Sequence, residues 1–139
     1  MRFAILGTGK ISGWFTQTCH DFGDVVPAIV YSRSTERGEE FARAHDIPAW
    51  SDDLDAILAD PGIDAVYVAS PIPAHAAQVR LALEAVKHVL CAKSLAVDLA
   101  EAEGLVAAAK RADRVLLEAV RSVHDPALEI GRASCRERV

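Results

Sequence analysis

From Arg2 to Val120 the chain alternates short, strongly apolar runs with longer amphipathic stretches, and this alternation limits the fold more than any other feature. The short runs are rich in β-branched residues and predict strands at residues 2–6, 25–31, 65–69, 88–92 and 115–120. Several of them are apolar at nearly every position, which is typical of strands covered on both faces. The pattern therefore predicts an α/β fold with a doubly wound, mainly parallel sheet and helices on both faces.

The stretches between the predicted strands have the spacing and the capping residues of helices. They predict helices over residues 11–20, 35–45, 74–86 and 98–112, and a short one that ends near Asp60. Ser34 or Thr35 is expected to cap the helix over residues 35–45, and Ser51 the short one. The inner side of the last helix is expected to carry Leu99, Ala102, Val106 and Ala109.

A glycine-rich turn, Gly7-Thr8-Gly9-Lys10-Ile11-Ser12, joins the first predicted strand to the first predicted helix. In such a turn the first glycine makes the bend, the second lets backbone approach a pyrophosphate, and the third small residue allows close packing. The helix start then offers free N–H groups to phosphate. With a strand before it and a helix after it, the turn predicts a Rossmann-type dinucleotide site rather than a turn that serves only the chain path. The cofactor-binding residues expected here are Gly7, Thr8, Gly9, Lys10 and Ile11.

The end of the second predicted strand indicates which dinucleotide fits. NAD enzymes usually place an acid there for the ribose 2′-hydroxyl, whereas this chain has Tyr31-Ser32-Arg33-Ser34 and then Arg37. Serine hydroxyls can donate to a 2′-phosphate, and a guanidinium can pair with it. We therefore expect Ser32, Arg33, Ser34 and Arg37 to bind NADP in preference to NAD. Alternatively, the two arginines are surface residues that pair with Glu36, Glu39 or Glu40.

Together with four later segments, these motifs resemble the amino-terminal half of the Gfo/Idh/MocA oxidoreductase family over residues 1–128. The segments are Ala69-Ser70-Pro71 with His75 downstream, the run over residues 82–91, Ala92-Lys93-Ser94, and Glu118-Ala119-Val120-Arg121. Within the family the chain is most similar to the NADP-dependent branch with xylose and dihydrodiol dehydrogenases. The resemblance implies hydride transfer between nicotinamide and a hydroxyl or carbonyl group of a sugar, polyol or dihydrodiol.

The resemblance also implies roles for particular residues. Lys93 matches the family's catalytic lysine, which lies beside the nicotinamide and hydrogen-bonds the substrate hydroxyl. A loop that contacts the cofactor is matched by Ala69, Ser70, Pro71 and His75. For His75, a helix-terminal histidine with no ligand is an equally open interpretation.

Departures from the family pattern leave other functions open. The family motif Glu-Lys-Pro has Ala92 and Ser94 in place of its first and last residues, and a usual asparagine and a usual glycine are replaced by Ile72 and Val86. A non-catalytic dinucleotide sensor or regulatory module is therefore an alternative to the enzyme. A domain that binds S-adenosylmethionine is a third hypothesis, disfavoured because methyltransferases prefer an acid where Ser32-Arg33 stands.

Composition argues against other classes of partner. The net charge is −5, with no basic run before the last few residues, which argues against nucleic acid or an anionic membrane. Cys19, Cys91 and Cys135 are far apart, with no histidine spaced to join them, so no disulfide framework and no metal site are expected. The chain enters a strand directly after Met1, without a signal peptide or a membrane-spanning run, which predicts a cytoplasmic protein.

The predicted domain boundaries follow from the same patterns. Residues 1–122 are expected to form the dinucleotide-binding domain, and residues 123–128 to begin a link to an absent C-terminal domain. Residues 129–139 resemble the translation of a widely used sequencing adapter rather than a natural basic tail, and are excluded from the fold. The resemblance implies that the absent domain supplies a second acid/base residue, the substrate pocket and the contacts of a homo-oligomer. This fragment is then expected to bind a dinucleotide and to turn over little substrate.

Overall fold

Strands and helices alternate along residues 1–120, the part of the chain that the computed structural model describes. The strands are β1 (Arg2–Leu6), β2 (Val26–Tyr31), β3 (Trp50–Ser51), β4 (Ala65–Val68), β5 (His88–Cys91) and β6 (Leu116–Glu118). The helices are α1 (Lys10–Phe22), α2 (Thr35–Ala44), α3 (Leu54–Ala59), α4 (His75–Glu84) and α5 (Leu99–Ala112), and a 3₁₀ turn at Ile72–Ala74 precedes α4. The predicted link over residues 123–128 and the predicted adapter tail over residues 129–139 lie outside the described residues.

The strands form one parallel sheet in the order β3-β2-β1-β4-β5-β6. From β1 the chain winds outward through β2 to β3, and it then crosses back to place β4 on the other side of β1. This order confirms the predicted Rossmann-type, doubly wound α/β fold. It also places a switch point between β1 and β4, where open α/β sheets bind ligands at the carboxyl ends of their strands.

Two apolar clusters cover the two faces of the sheet. On one face, Leu6 and Val68 pack in a cluster with buried residues of α3, α4 and α5. On the other face, Ile5 and Tyr67 pack in a cluster with apolar residues of α1 and α2. Neighbouring residues of β1 and β4 thus enter opposite clusters, as the two-residue period of a strand requires. The sheet is buried on both sides, which explains why its strands are apolar throughout.

The predicted cap of the short helix is wrong by two residues. Asp53, not Ser51, is the N-cap of α3, and its carboxylate accepts a hydrogen bond from the Ala56 amide at 2.9 Å. Ser51 cannot take that role because it lies in β3, paired with Tyr31. Its hydroxyl instead accepts from the Asp53 amide at 3.0 Å. The two-residue strand β3 had no sequence prediction, because two residues display no period.

The predicted inner side of α5 is also wrong in part. Leu105 and Ala109 are the buried residues of this helix, whereas Leu99 is 73% exposed and Val106 44% exposed. The helix is rich in alanine, so its sequence offers two stripes of similar hydropathy, and packing against the neighbouring α4 selects between them. By contrast, Ser34 caps α2 as expected.

Candidate functional site

The parallel register brings the predicted site segments to one edge of the sheet. One residue beyond each strand end, a backbone amide donates to the neighbouring strand, so the loops begin side by side. In order across the sheet the bonds run from Ser32 N to Ser51 O (3.1 Å), Gly7 N to Tyr31 O (3.1 Å), Ala69 N to Leu6 O (2.9 Å) and Ala92 N to Val68 O (2.8 Å). The glycine turn, the arginine-containing segment, the Ser70 loop and the Lys93 loop therefore all start at the carboxyl edge.

The two glycines of the turn have different constraints. Gly7 has a φ of 112°, and an added Cβ would lie 2.7 Å from the carbonyl oxygen of Ala69, so only glycine fits there. Gly9 is the N-cap of α1 and makes no side-chain cap bond, and an added Cβ would meet nothing within 4 Å. The space beside Gly9 is thus open, and the first amides of α1 face it without a side-chain acceptor. This is the arrangement that lets a helix start receive a phosphate group.

A cleft of about 620 Å³ opens beside the turn at the switch point. Of the residues predicted to bind the cofactor, the cleft is lined by Gly7, Thr8, Gly9, Ser32, Arg33, Arg37, Ala69, Ser70 and Pro71. Its walls thus combine the open helix start with two guanidinium groups from the end of β2 and the start of α2. The cleft can take a chain of phosphates at one end and a further anionic group near the arginines.

Four more residues line the cleft without having been predicted, namely Tyr31, Pro73, Ala74 and Gln78. Of these, Gln78 extends the polar wall, because the Ser70 hydroxyl donates to its Oε1 at 2.6 Å. The amide nitrogen of Gln78 remains able to donate to a ligand. The only sequence signal for Gln78 was its spacing, three residues after His75 at the start of a helix.

Four predicted cofactor residues lie outside the cleft lining, namely Lys10, Ile11, Ser34 and His75. The Lys10 ammonium lies 5.0 Å from the centre of the Trp14 ring, and Trp14 is 53% exposed. Ile11 is 47% exposed on the same helix. Ser34 caps α2, and its hydroxyl donates to Oε2 of Glu36 at 2.9 Å. Ser32, two residues before Ser34, is buried, and its hydroxyl accepts a hydrogen bond from the Ser34 amide at 3.2 Å.

Of the two interpretations that the sequence left open for His75, its position matches the helix-terminal histidine more closely, because it lies outside the cleft lining. The ring is 1% exposed, and its Nδ1 lies 2.7 Å from the Ser94 carbonyl oxygen. Its Nε2 lies 2.7 Å from the Ser70 carbonyl oxygen. Both ring nitrogens therefore face backbone, and His75 bridges the loop that lines the cleft and the loop that carries Lys93.

Lys93 lies in the loop between β5 and α5, with its side chain exposed and outside the cleft lining. The backbone on both sides of it is fixed. Ala92 donates to Val68, and the Ser94 carbonyl faces His75. The next amide, that of Leu95, donates to the Glu118 carboxylate at 2.8 Å. Within residues 1–120 the Lys93 ammonium makes no hydrogen bond, so it is available to a group that approaches this edge of the sheet.

The same part of the chain offers no metal site, no membrane-spanning helix and no activated thiol. Among residues 1–120, no three His, Cys, Asp or Glu side chains are grouped so that they could hold a metal ion. No helix there is long and apolar enough to cross a membrane. Burial raises the pKa of the Cys19 thiol to about 11 and, more strongly than the nearby Glu118 does, that of the Cys91 thiol to about 12. These two thiols are free, buried and neutral, which makes them poor nucleophiles.

Comparisons with known proteins agree with this geometry. The model of a family described as "Oxidoreductase family, NAD-binding Rossmann fold" matches residues 1–120. The scyllo-inositol 2-dehydrogenase (NADP(+)) IolU of Bacillus subtilis is 40% identical over 126 residues, which cover 91% of this chain and 38% of that protein. The trans-1,2-dihydrobenzene-1,2-diol dehydrogenase of Danio rerio is 37% identical over 139 residues, with coverage of 95% and 40%.

Solved structures of oxidoreductases also share this fold. KijD10, a 3-ketoreductase from Actinomadura kijaniata in complex with NADP and TDP-benzene, superposes with a TM-score of 0.90 at 27% identity. The match covers 99% of this chain and 42% of KijD10. The chain thus spans about two fifths of the length of the proteins that it matches.

Proposed function

The chain belongs to the Gfo/Idh/MocA oxidoreductase family with its NAD-binding Rossmann fold, and on this premise we propose that it is the nucleotide-binding part of an NADP-dependent dehydrogenase. The proposed substrate is a small molecule, and the group oxidised or reduced is a hydroxyl or carbonyl of a sugar, polyol or dihydrodiol. The observation that carries the proposal is the cleft at the switch point, whose lining includes Gly9, the N-cap of α1, together with Arg33 and Arg37.

The phosphate-binding part of the proposal is supported by the open space beside Gly9. A pyrophosphate in this space would accept hydrogen bonds from the first amides of α1, which have no side-chain cap. The helix start also carries a partial positive charge, which favours a negatively charged ligand. Gly7 keeps the turn in place, and Ser70 and Gln78 add polar groups to the lining of the same cleft.

The preference for NADP is supported by the residues that follow β2. The segment Tyr31-Ser32-Arg33-Ser34 contains no acid to bind a ribose 2′-hydroxyl, and Arg33 and Arg37 line the cleft. One charge-assisted hydrogen bond to the 2′-phosphate contributes about 1.5–3 kcal/mol, roughly a tenfold to hundredfold preference. The name of IolU states NADP(+), and KijD10 was solved with NADP.

Catalysis is proposed to involve Lys93. The dinucleotide, when bound, supplies or accepts the hydride at its nicotinamide ring. The Lys93 ammonium, exposed at the carboxyl edge, would donate a hydrogen bond to the substrate oxygen. In the direction of oxidation the Lys93 ammonium would keep its hydrogen bond to the substrate oxygen, and the hydroxyl proton would pass to the second acid/base residue that we propose below. The bonds of Ala92, Ser94 and Leu95 keep the backbone of this loop in position.

We further propose that residues 1–122 form the nucleotide-binding domain and that a second domain carries the substrate pocket and a second acid/base residue. The proposal is supported by the length of the relatives, of which this chain spans about two fifths. A chain of 139 residues tested alone is then expected to bind the dinucleotide without measurable turnover. Contacts of a homo-oligomer are proposed to lie in that second domain.

A dinucleotide sensor is the second candidate, favoured by Ala92 and Ser94 where the family motif has glutamate and proline. The two functions differ in what the complete protein does with a substrate. An enzyme oxidises a polyol or a dihydrodiol with NADP, and Lys93→Met abolishes the reaction while NADPH still binds. A sensor oxidises neither substrate, and the original protein and its Lys93→Met variant bind NADPH with the same affinity.

The cofactor site itself can be tested at Gly9 without damage to the fold. Aspartate is a favourable N-cap residue, and its charge suits a helix start, so Gly9→Asp is expected to fold normally. Its carboxylate would occupy the open space and repel a pyrophosphate, weakening NADPH binding by at least about tenfold. Fluorescence titration with NADPH measures the change, with circular dichroism as the check on folding.

Gly9→Asn is the matched control, because asparagine has nearly the shape of aspartate and is also a good N-cap, but carries no charge. Binding should be weaker in Gly9→Asp than in Gly9→Asn. If the original chain binds NADPH and the Gly9→Asp variant binds it equally well, the phosphates do not lie at this turn and the proposed site is wrong.

A further inference from the structure

An acidic side chain stands among the groups proposed to bind the 2′-phosphate. Glu36 is the second residue of α2, between Ser34 and Arg37. The Ser34 hydroxyl donates to Oε2 of Glu36 at 2.9 Å, and the same hydroxyl accepts a longer bond of 3.4 Å from the Arg37 amide. One of the predicted phosphate donors is thus already bound to a carboxylate of the chain itself.

The surroundings of Glu36 favour its charged form. A hydrogen bond from its own backbone amide, the hydrogen bond from Ser34 and the charge of Arg37 all lower the pKa of the Glu36 carboxyl. These are the three kinds of group that would hold a phosphate at the same place: a helix-start amide, a hydroxyl and a guanidinium. The carboxylate therefore uses the interactions that the 2′-phosphate needs.

We propose that Glu36 is a specificity-determining residue, whose carboxylate, held by the Ser34 hydroxyl next to the predicted phosphate donors, repels a 2′-phosphate and lowers the preference for NADP over NAD. The inference rests on the proposed dinucleotide site. A 2′-phosphate carries about −1.5 to −2 charges near neutral pH, so it must displace a neighbouring carboxylate. A ribose 2′-hydroxyl has no such conflict, because it can donate a hydrogen bond to the carboxylate.

The geometry allows this displacement. Glu36 is exposed, so its side chain can turn into solvent, whereas Ser32 behind it is buried and fixed. Arg33 and Arg37 line the cleft from the same segment and would remain to receive the phosphate. Glu36 then sets the degree of preference, while the serines and arginines provide the binding.

The experiment compares Glu36→Gln with Glu40→Gln, a variant with the same change of charge one helical turn further along α2. Dissociation constants for NADPH and for NADH are measured by fluorescence titration at low salt. For Glu36→Gln we expect NADPH to bind roughly three- to tenfold more tightly, because a charge repulsion at close range is removed. NADH binding should change by less than about twofold, and Glu40→Gln should resemble the original chain for both ligands, since surface charges further apart are screened.

Two further measurements identify the physical cause. Ser34→Gly removes the contested hydroxyl at little cost to the helix, since glycine is nearly as good an N-cap. In that background the gain from Glu36→Gln should shrink, because the carboxylate is no longer held by the hydroxyl beside the phosphate and repels it less. Raising the ionic strength from about 50 mM to about 500 mM should also shrink the gain, as expected of a repulsion at the surface.

The outcomes separate this inference from the proposed function. If the original chain binds NADPH but Glu36→Gln leaves the ratio of the NADPH and NADH constants unchanged, or moves it as Glu40→Gln does, the role of Glu36 is wrong and the site stands. If the original chain binds neither nucleotide, the proposed function fails, and the inference fails with it.

Discussion

The imidazole of His75 holds together the two loops that carry Ser70 and Lys93. Each of its ring nitrogens lies 2.7 Å from a backbone carbonyl oxygen, and the ring is 1% exposed. A neutral imidazole has a single N–H, so both contacts are hydrogen bonds at once only when the ring carries both protons. A carbonyl that is shielded from water and loses its donor costs up to about 1–3 kcal/mol, and both of these contacts are partly buried. His75 is therefore a positioning residue: it contacts the backbone of the Ser70 and Lys93 loops without itself lining the cleft.

Replacing His75 with phenylalanine (His75→Phe) keeps a planar ring in the buried space and removes both nitrogens. We expect the free energy of unfolding to fall by about 1–3 kcal/mol, because a neutral His75 ring donates one N–H and at least one partly buried carbonyl group loses its donor. Urea denaturation followed by circular dichroism measures the loss. Hydrogen exchange of the Leu95 amide should also become faster, since its loop is no longer tied to His75.

His20 provides the control for this variant. Its Nε2 also faces a carbonyl oxygen, that of His45 at 2.9 Å, but the contact is exposed and water can replace it. His20→Phe should therefore change the free energy of unfolding by less than about 0.5 kcal/mol. Similar losses in the two variants would contradict the bridging role of His75.

Val86 adopts a backbone conformation that is unfavourable for its β-branched side chain. It has a φ of 60°, in the left-handed region, where the resemblance led us to expect glycine. A residue with a Cβ costs roughly 1–2 kcal/mol in this conformation, and a β-branched side chain fits it poorly. The hydrogen bonds around it hold the turn nonetheless, with the Val86 amide donating to Leu83 and its carbonyl accepting from the Arg114 guanidinium.

At the scale of the element, α5 is attached to the sheet mainly through one side chain. Leu105 is fully buried in the cluster that also contains Leu83 and Val89. Leu105→Ala should lower the free energy of unfolding by about 2–4 kcal/mol, through lost transfer energy and the cavity that remains. Leu99→Ala in the same helix is the control, since Leu99 is 73% exposed and its truncation should cost less than about 0.5 kcal/mol. Denaturant midpoints of the two variants give the comparison, and equal shifts would mean that α5 packs on its other side.

The elements that could be predicted from the sequence are those with a strong local signal. β1, α1 and the turn between them have an apolar run, two glycines and a helical stretch in immediate succession, and their bounds agree with the prediction within two residues. The carboxyl-edge position of the predicted segments then follows from parallel winding alone. β3 and the buried side of α5 could not be predicted, because both depend on which neighbour the segment meets and not on its own period.

The same distinction applies to the site. Gly7, Gly9 and Arg33, which the sequence predicts to bind the cofactor, line the cleft, because backbone position at a strand end decides where they lie. Gln78 was missed, and two interpretations of His75 stayed open, because the direction of a side chain at a helix start depends on how that helix is tilted against the sheet. A motif fixes the order of residues along the chain, whereas packing decides whether a given side chain points into the cleft or into the core.

At the scale of the whole molecule, ionisable groups are buried on both faces of the sheet. Cys91 lies in the cluster under α3, α4 and α5, and Tyr67 lies in the cluster under α1 and α2. Cys19 is buried on the inner side of α1. Burial raises the pKa of all three, to about 11 for Cys19 and about 12 for Cys91, and the two thiols add to the rise for Tyr67.

This arrangement predicts that the domain loses stability in alkali through its thiols. An unfolded cysteine ionises near its ordinary pKa of 9.0, well below the values of about 11 and about 12 in the folded chain. Between these limits the folded state binds more protons than the unfolded state, so the free energy of unfolding falls as pH rises, by at most about 1.4 kcal/mol per pH unit for each thiol. Below about pH 8 the same groups are protonated in both states and have no effect.

Urea denaturation from about pH 7 to about pH 11 in the presence of a reductant measures this loss. Two proteins are compared. The first carries Cys135→Ser, which removes the third cysteine, a residue outside the described part of the chain. The second carries Cys19→Ala and Cys91→Ala in addition. The triple variant starts less stable, since two small cavities form, but its stability should decline less steeply above about pH 9 because only Tyr67 of the three groups remains. The slope and not the starting value tests the idea. Parallel slopes in the two proteins would show that burial of the thiols does not control the alkaline limit of this sheet.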